Sequence, residues 1–450
     1  MNSISSTEVD FKLDELFFSK TDKKGYIQAS NSVFVRVSEF LEEELLYRPH
    51  NVVRHQDMPK AVFKLLWSFL LGDKAVAAYV KNKSKSGKHY WVFAMAFPMK
   101  DGFLSIRLKP TSKFFTLVKE LYGQLISREK DGMSMDQGLE WAQQQLKSAG
   151  FSSYEDFMMK ALVAELESRD SLMTVDAAPS LSKSSHDQRL SDIYTASSRC
   201  TEASRNGFRI TNELYGKLEK LKTQTEAISE TCHKVKFVTT NMTISAAKLG
   251  ESGRPLGVVS LNLEKLSLDI SACVGALESA LRVFDNSVLG MHSMLGTSRF
   301  QIEMMHHFIK EAMSANSGTQ SKEQELQFLR HCSLLNELVA KNFLMVEQSS
   351  MDLDRVSKLL LATIERLSQV TAGMDVIRIV GKIEVARISN LSEELSSRLT
   401  EIEDLTNDFK VSLKALESEC LWGITCATQI THLTKDISER LDQITKIISV

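Results

Sequence analysis

Residues 77–109 read AAYVKNKSKSGKHYWVFAMAFPMKDGFLSIRLK, and they decide the fold of the N-terminal part of the chain. Three runs rich in aromatic and β-forming residues, Ala77 to Lys83, Lys88 to Met99 and Phe103 to Lys109, have the length and composition of strands. Ser86-Gly87 between the first two is a hairpin turn. Working outward, Glu15 to Lys20 and Tyr26 to Ala29 are two more strands flanking a turn at Asp22 to Gly25. Between the two groups, Asn31 and Ser32 cap a short helix. Asp57 is placed to cap a second, with Pro59 in its first turn and its end near Leu71. Two strands, helices, then three strands is an α+β arrangement with a five-stranded antiparallel sheet.

The rest of the chain follows a different rule. Four of the six prolines (Pro49, Pro59, Pro98, Pro110) fall in the first 110 residues; only Pro179 and Pro255 follow. Long helices tolerate such a stretch, because proline removes a donor and clashes with the preceding turn. Residues 113–175 read as connecting helices, and the polar, short-chained segment 176–189 as a linker. Heptad-like spacing then takes over. One stripe runs Ile210, Leu214, Leu218, Leu221, Thr225, Ile228, Cys232, Val235. A second begins Leu263, Leu266, Ile270, Cys273 and continues to Met291. Steps of three and four residues bring each stripe onto one helix face, which must bury against a partner helix. Gly250 to Pro255, with two glycines and a proline in six residues, is a helix stop. The reading is an antiparallel helical hairpin over 190–310 that turns at 250–255. A C-terminal helical bundle over 322–450 follows, with a stripe at Leu353, Val356, Leu360, Thr363, Leu367, Val370, Met374 and Ile377.

Composition narrows the function. The 450 residues are too many for one core, and 43% hydrophobic with 25% charged residues is ordinary for a soluble protein. A formal net charge of −2 argues against a nucleic-acid binder. No apolar run reaches the roughly 18 residues of a membrane span, and Met1 to Asp14 lacks a signal-peptide pattern. A cytoplasmic protein is expected, with its six scattered cysteines reduced and packed in helix cores. There is no phosphate-binding loop, nucleophile elbow or HExxH helix. The adjacent pairs His306-His307 and His331-Cys332 diverge by about 100° on a helix and are poor chelators. No metal site and no enzyme activity are expected.

The segment His50-Asn51-Val52-Val53-Arg54-His55-Gln56-Asp57-Met58-Pro59 resembles the PAS domain of aerotaxis receptors of the Aer type. So do Val80-Lys81-Asn82-Lys83, Gly87-Lys88-His89-Tyr90-Trp91-Val92 and Leu104-Ser105-Ile106-Arg107. The resemblance covers residues 14–112. It implies a pocket that holds FAD, with Asn31, His50, Arg54, His55, Asp57 and Asn82 at the family's pocket and signalling positions. Flavin-binding members carry a tryptophan soon after the glycine that ends the long helix. Here Gly72 is followed by Asp73-Lys74-Ala75-Val76-Ala77-Ala78-Tyr79, and Tyr79 is the candidate substitute. Trp67 and Trp91 read as core residues.

The hairpin turn, Asn241 to Val259, is similar to a degenerate chemoreceptor signalling tip, with Ser245, Lys248, Pro255 and Leu256 departing from the family's residues. The similarity implies docking of a chemotaxis histidine kinase and its coupling protein through residues such as Asn241, Lys248, Glu251 and Arg254, and a homodimer of hairpins. Ile383-Glu384-Val385-Ala386-Arg387-Ile388 echoes Ile244 to Leu249 without a glycine-rich turn. It reads as an eroded duplicate or as heptad coincidence. The expected protein is therefore an α+β PAS domain followed by an all-α antiparallel coiled-coil or helical bundle. It would relay redox or oxygen status to a partner. The alternative is a non-catalytic PAS-containing scaffold without kinase output.

Overall fold

The computed structural model describes residues 7–173, 185–315, 322–387 and 392–449. Strands β1 (Phe17–Asp22), β2 (Ile27–Ser30), β3 (Val76–Lys83), β4 (His89–Met99) and β5 (Gly102–Leu108) form one antiparallel sheet in the order β2-β1-β5-β4-β3. Helices α1 (Ser32–Ser38), α2 (Glu42–Leu45) and α3 (Lys60–Leu71) sit between β2 and β3. Then come α4 (Lys113–Lys130), α5 (Met135–Ser148) and α6 (Tyr154–Leu172). Four long helices close the chain: α7 (Ser185–Lys248), α8 (Arg254–Ala315), α9 (Lys322–Ala386) and α10 (Ser392–Ser449). This is the expected sheet-then-helices architecture. Most of the linker expected at 176–189 lies outside the described residues, and Ser185 already belongs to α7. The Ser389-Asn390 connection also lies outside them.

The helix starts show where local signals end. Asn31 caps α1 as expected, its side chain accepting from Phe34 N at 3.2 Å. Asp57 does not cap α3, which begins at Lys60. Its first amides, Lys60 N and Ala61 N, donate to the Glu129 carboxylate on α4, both at 2.9 Å. A cap 69 residues away has no local sequence signature.

The chain divides into two compact units. The first holds residues 1–201, 296–339 and 440–450. Here strand alternation gives the sheet two buried faces. One carries Phe17, Val80, Tyr90 and Val92 toward α1 and α3. The other carries Phe18, Tyr79 and Phe93. Phe18 meets Phe308 edge-on at 4.9 Å and His331 at 4.8 Å, and Phe93 lies 6.5 Å from Phe300. Tyr79 donates to the fully buried Glu165 of α6 at 2.7 Å. Glu165 also accepts from Thr111 N, Ser112 N and the Ser112 hydroxyl, fastening α6 to the β5–α4 junction.

The second unit, residues 202–295 and 340–439, is a ring of four helices. Lys222 pairs with Asp285 across α7 and α8 at 3.3 Å, and Lys382 with Glu403 across α9 and α10 at 2.6 Å. Lys217 meets Glu419 at 2.5 Å, joining α7 to α10. Gly373 and Gly381 of α9 sit against Leu266 and Val259 of α8. The stripe from Ile210 to Val235 is buried throughout. Helices of the same chain thus supply the partner face that this stripe requires. In α9 the register departs from expectation beyond Leu367. Thr371 and Arg378 take the buried positions in place of Val370 and Ile377. Two consecutive four-residue steps, 363 to 367 and 367 to 371, rotate the apolar stripe off the seam. Arg378 is neutralised there by Asp375 and Glu403.

The turn between α7 and α8 is a short 3₁₀ segment, Gly250–Gly253. A Cβ on Gly253 would lie 2.1 Å from the Ala246 carbonyl oxygen, so only glycine lets the chain close here.

Candidate functional site

A cavity of about 300 Å³ opens between the sheet, α3 and the loop before it. Its floor is the inward face of the strands: Ser19 and Thr21 from β1, Val80 and Asn82 from β3, Ala94 from β4, Arg107 from β5. Small residues at 94 and 96 leave the space open. Phe63, Trp67 and Phe103 supply the aromatic surface, and the exposed Lys24 and Asn51 stand at the rim. Trp67 is therefore not a core residue. It is 37% exposed, lines the cavity and meets Phe103 edge-on at 5.4 Å. Gly25, at φ +84°, lets the Trp67 ring lie where a Cβ would be only 3.3 Å away. Tyr79, the expected substitute for the family's tryptophan, points to the opposite face of the sheet, against Glu165.

Of the six residues singled out in the sequence, His50, Arg54 and Asn82 line this cavity. His50 stacks on Phe34 at 5.7 Å and is held at Nε2 by the Arg107 guanidinium at 2.8 Å. Burial, then the Arg107 charge, pushes its pKa down to about 3, so the ring is neutral. Arg54 donates to the Met58 carbonyl at 2.9 Å and lies over the Phe63 ring at 4.2 Å. The other three are elsewhere. Asn31 spends its amide on the backbone, accepting from Phe18 N and Phe34 N and donating to Leu16 O. His55 accepts from Asp57 N at 3.1 Å, and burial, reinforced by Lys81, lowers its pKa to about 4. Asp57 pairs with Lys81 at 3.1 Å. Burial raises the Asp57 carboxyl, but Lys81 more than offsets this and its pKa ends below the ordinary value. His55 and Asp57 brace the loop beside the cavity.

Arg107 is the residue that sequence reasoning missed. It stands in the quoted Leu-Ser-Ile-Arg run, two positions after Ser105 and four after Phe103, hence on the cavity face. A charged residue on the inward register of a strand was the available signal.

Among the described residues no group of His, Cys, Asp and Glu is arranged to hold a metal ion, and no helix is long and apolar enough to cross a membrane. All six cysteines are buried free thiols. At the α7–α8 turn, Asn241 is half-buried while Lys248, Glu251 and Arg254 are exposed, the last two paired at 2.8 Å. The Ile383 echo ends α9 beside this turn: Gly381 packs on Val259 and Ser245 bonds Glu394.

No family model matches the chain. Over 117 residues, 25% of its length, it is 42% identical to the aerotaxis receptor of Escherichia coli (strain K12). The N-terminal PAS region is an aerotaxis-receptor homologue. The match covers 23% of that receptor, so the chain spans under a quarter of this relative's length.

The residues present fit a flavin. Trp67 and Phe63 offer ring surface, Asn82 and Arg107 polar groups for the ring edge, and Lys24 and Arg54 cations for phosphates. The volume, at the small end for ligand pockets, would admit the ring system.

Proposed function

We propose that this protein is a cytoplasmic, aerotaxis-receptor-like signal transducer whose PAS cavity takes FAD and reports redox status through the helices packed on the sheet. FAD bound there would supply a two-electron redox couple. The chain's residues bind it, exclude water from the ring and pass on its state. The observation that carries this reading is on β1. Ser19 faces the cavity and bonds Arg107 at 2.7 Å, while its neighbour Phe18 faces the other way onto Phe308 and His331. A displacement of this strand at the ligand side is also a displacement at the helix side. Beside this contact α6 and α8 are joined by a buried network: Arg169 to Glu303, Glu303 to Arg299 at 2.8 Å, and Arg299 to Asp170. These are discrete contacts between rigid elements, the kind of arrangement through which a population shift is relayed.

The output in this reading is a chemotaxis histidine kinase with its coupling protein, docked at the α7–α8 turn around Asn241, Lys248, Glu251 and Arg254. Because four helices of one chain close the second unit, formation of that bundle does not require a homodimer. We assign no catalytic role to any residue.

The test is the absorption spectrum of the purified full-length protein after incubation with FAD, with and without dithionite. Retained flavin bands that bleach reversibly are expected. A protein that retains no flavin sinks the redox reading. Pull-down with the kinase and coupling protein decides the output: binding lost on Arg254→Glu supports it, and no binding by the intact chain favours a scaffold.

A further inference from the structure

Arg107 is a buried cation without a counter-charge among the described residues. It is 5% exposed. One amino group, Nη2, donates to the Ser19 hydroxyl at 2.7 Å and to His50 Nε2 at 2.8 Å, both neutral. The other, Nη1, is buried with no partner, and so is the nearby Tyr90 hydroxyl. The guanidinium lies 5.3 Å from the Phe34 ring. No carboxylate among the described residues pairs with it. The contrast lies within the same unit, where buried Arg169 and Arg299 both meet the Glu303 carboxylate.

A charge taken out of water without a partner is strongly unfavourable. The fold gains little from this one, because Ser19 and His50 already contact each other at 3.3 Å and would keep a partner without it. A guanidinium cannot discharge itself by losing its proton at neutral pH. What is missing is a negative charge, and the wall where it is missing is the cavity wall.

We propose that Arg107 is a ligand-binding residue that selects a planar heterocycle whose edge carries or acquires negative charge, and that it holds the reduced form of that ligand more tightly than the oxidised form. For flavin, which the proposal takes from the functional reading above, two electrons and one proton convert the neutral ring to one bearing a single negative charge. In the assay dithionite supplies the electrons and water the proton. The attraction between the guanidinium on the cavity wall and the ring strengthens on reduction, when the ring acquires its charge. Because binding and reduction are linked, tighter binding of the reduced ring raises its midpoint potential.

The experiment uses the full chain loaded with FAD and compares wild type, Arg107→Lys and Arg107→Gln by potentiometric titration and by FAD affinity in each redox state. Arg107→Gln is expected to weaken the reduced form at least tenfold more than the oxidised form. That lowers the midpoint by about 30 mV or more for a two-electron couple. Arg107→Lys, which keeps the charge, should recover part of the shift. Equal potentials in all three proteins overturn the proposal. Melting of the ligand-free proteins provides the independent arm. Removing an unpaired charge should leave the melting temperature of Arg107→Gln unchanged or higher. A fall of more than about 4 °C, or failure to fold, makes Arg107 a structural residue and overturns the assignment. A wild type that takes up no FAD refutes the redox reading, and the melting arm alone then decides whether Arg107 is held for a ligand.

Discussion

Replacing Glu303 by alanine tests the junction between α6 and α8 most sharply. Its carboxylate is 6% exposed and serves both Arg169, 4% exposed, and Arg299, 1% exposed. Burial pulls the Arg299 pKa down, but Glu303 and Asp170 more than compensate and the net shift is upward. Without Glu303, two guanidinium groups stay buried with one shared anion gone. Breaking a buried ion pair from one side costs about 3–5 kcal/mol, because the surviving charge is left uncompensated. Asp170 provides the internal control. It meets the same Arg299, but its side chain is 39% exposed, so water takes over part of its role. Asp170→Ala should cost about 1 kcal/mol. Urea denaturation of the full chain, followed by tryptophan fluorescence, reads both. Trp67, Trp91 and Trp141 lie in the N-terminal half and only Trp422 elsewhere, so the early signal reports on this region. Equal losses for the two variants would refute the reasoning, since they would show that burial does not set the weight of each charge. The double variant Glu303→Leu with Arg299→Met, which removes charge from both sides, should recover part of the loss.

Stability should fall on acidification from about pH 6.5 toward pH 3. His50 has a folded pKa of about 3 and His55 of about 4, both below the ordinary value, so in this window the unfolded chain binds more protons. Each histidine contributes at most about 1.4 kcal/mol per pH unit, and His50→Gln should flatten the slope of a pH–melting curve. Gly253→Ala should destabilise the α7–α8 turn by roughly 1–3 kcal/mol or more, because its Cβ meets the Ala246 carbonyl; circular dichroism melting checks this. In α9, Met374→Ala should cost about 2–5 kcal/mol, whereas Val380→Lys, on the solvent side, should stay within about 0.5 kcal/mol. Comparable losses for the two would refute the burial that separates Met374 from Val380.

Much of the fold was legible in order. The three strands of residues 77–109 stand within a residue of their expected ends, because period-two alternation and a Ser-Gly turn act locally. The candidate site was only half legible. His50, Arg54 and Asn82 reach the cavity, while Asn31 is consumed as a helix cap and His55 and Asp57 by the loop and Lys81. The same residue types serve both ends, and only packing separates them. The tryptophan absent after Gly72 led to Tyr79, on the wrong face of the sheet. Trp67, one turn before the end of α3, was the aromatic that reached the cavity.

The sequence by itself determined the type of each element, through its proline distribution, through period two before Thr111 and through steps of three and four after Ser185. These are properties of neighbours along the chain, and short-range sterics and burial suffice to set them. Only the tertiary structure decided what meets across distance. Glu129 caps α3, Glu165 ties α6 to the sheet, one carboxylate serves Arg169 and Arg299, and none among the described residues serves Arg107. A charge's meaning depends on whether its partner arrives from elsewhere in the chain, and no local pattern records that.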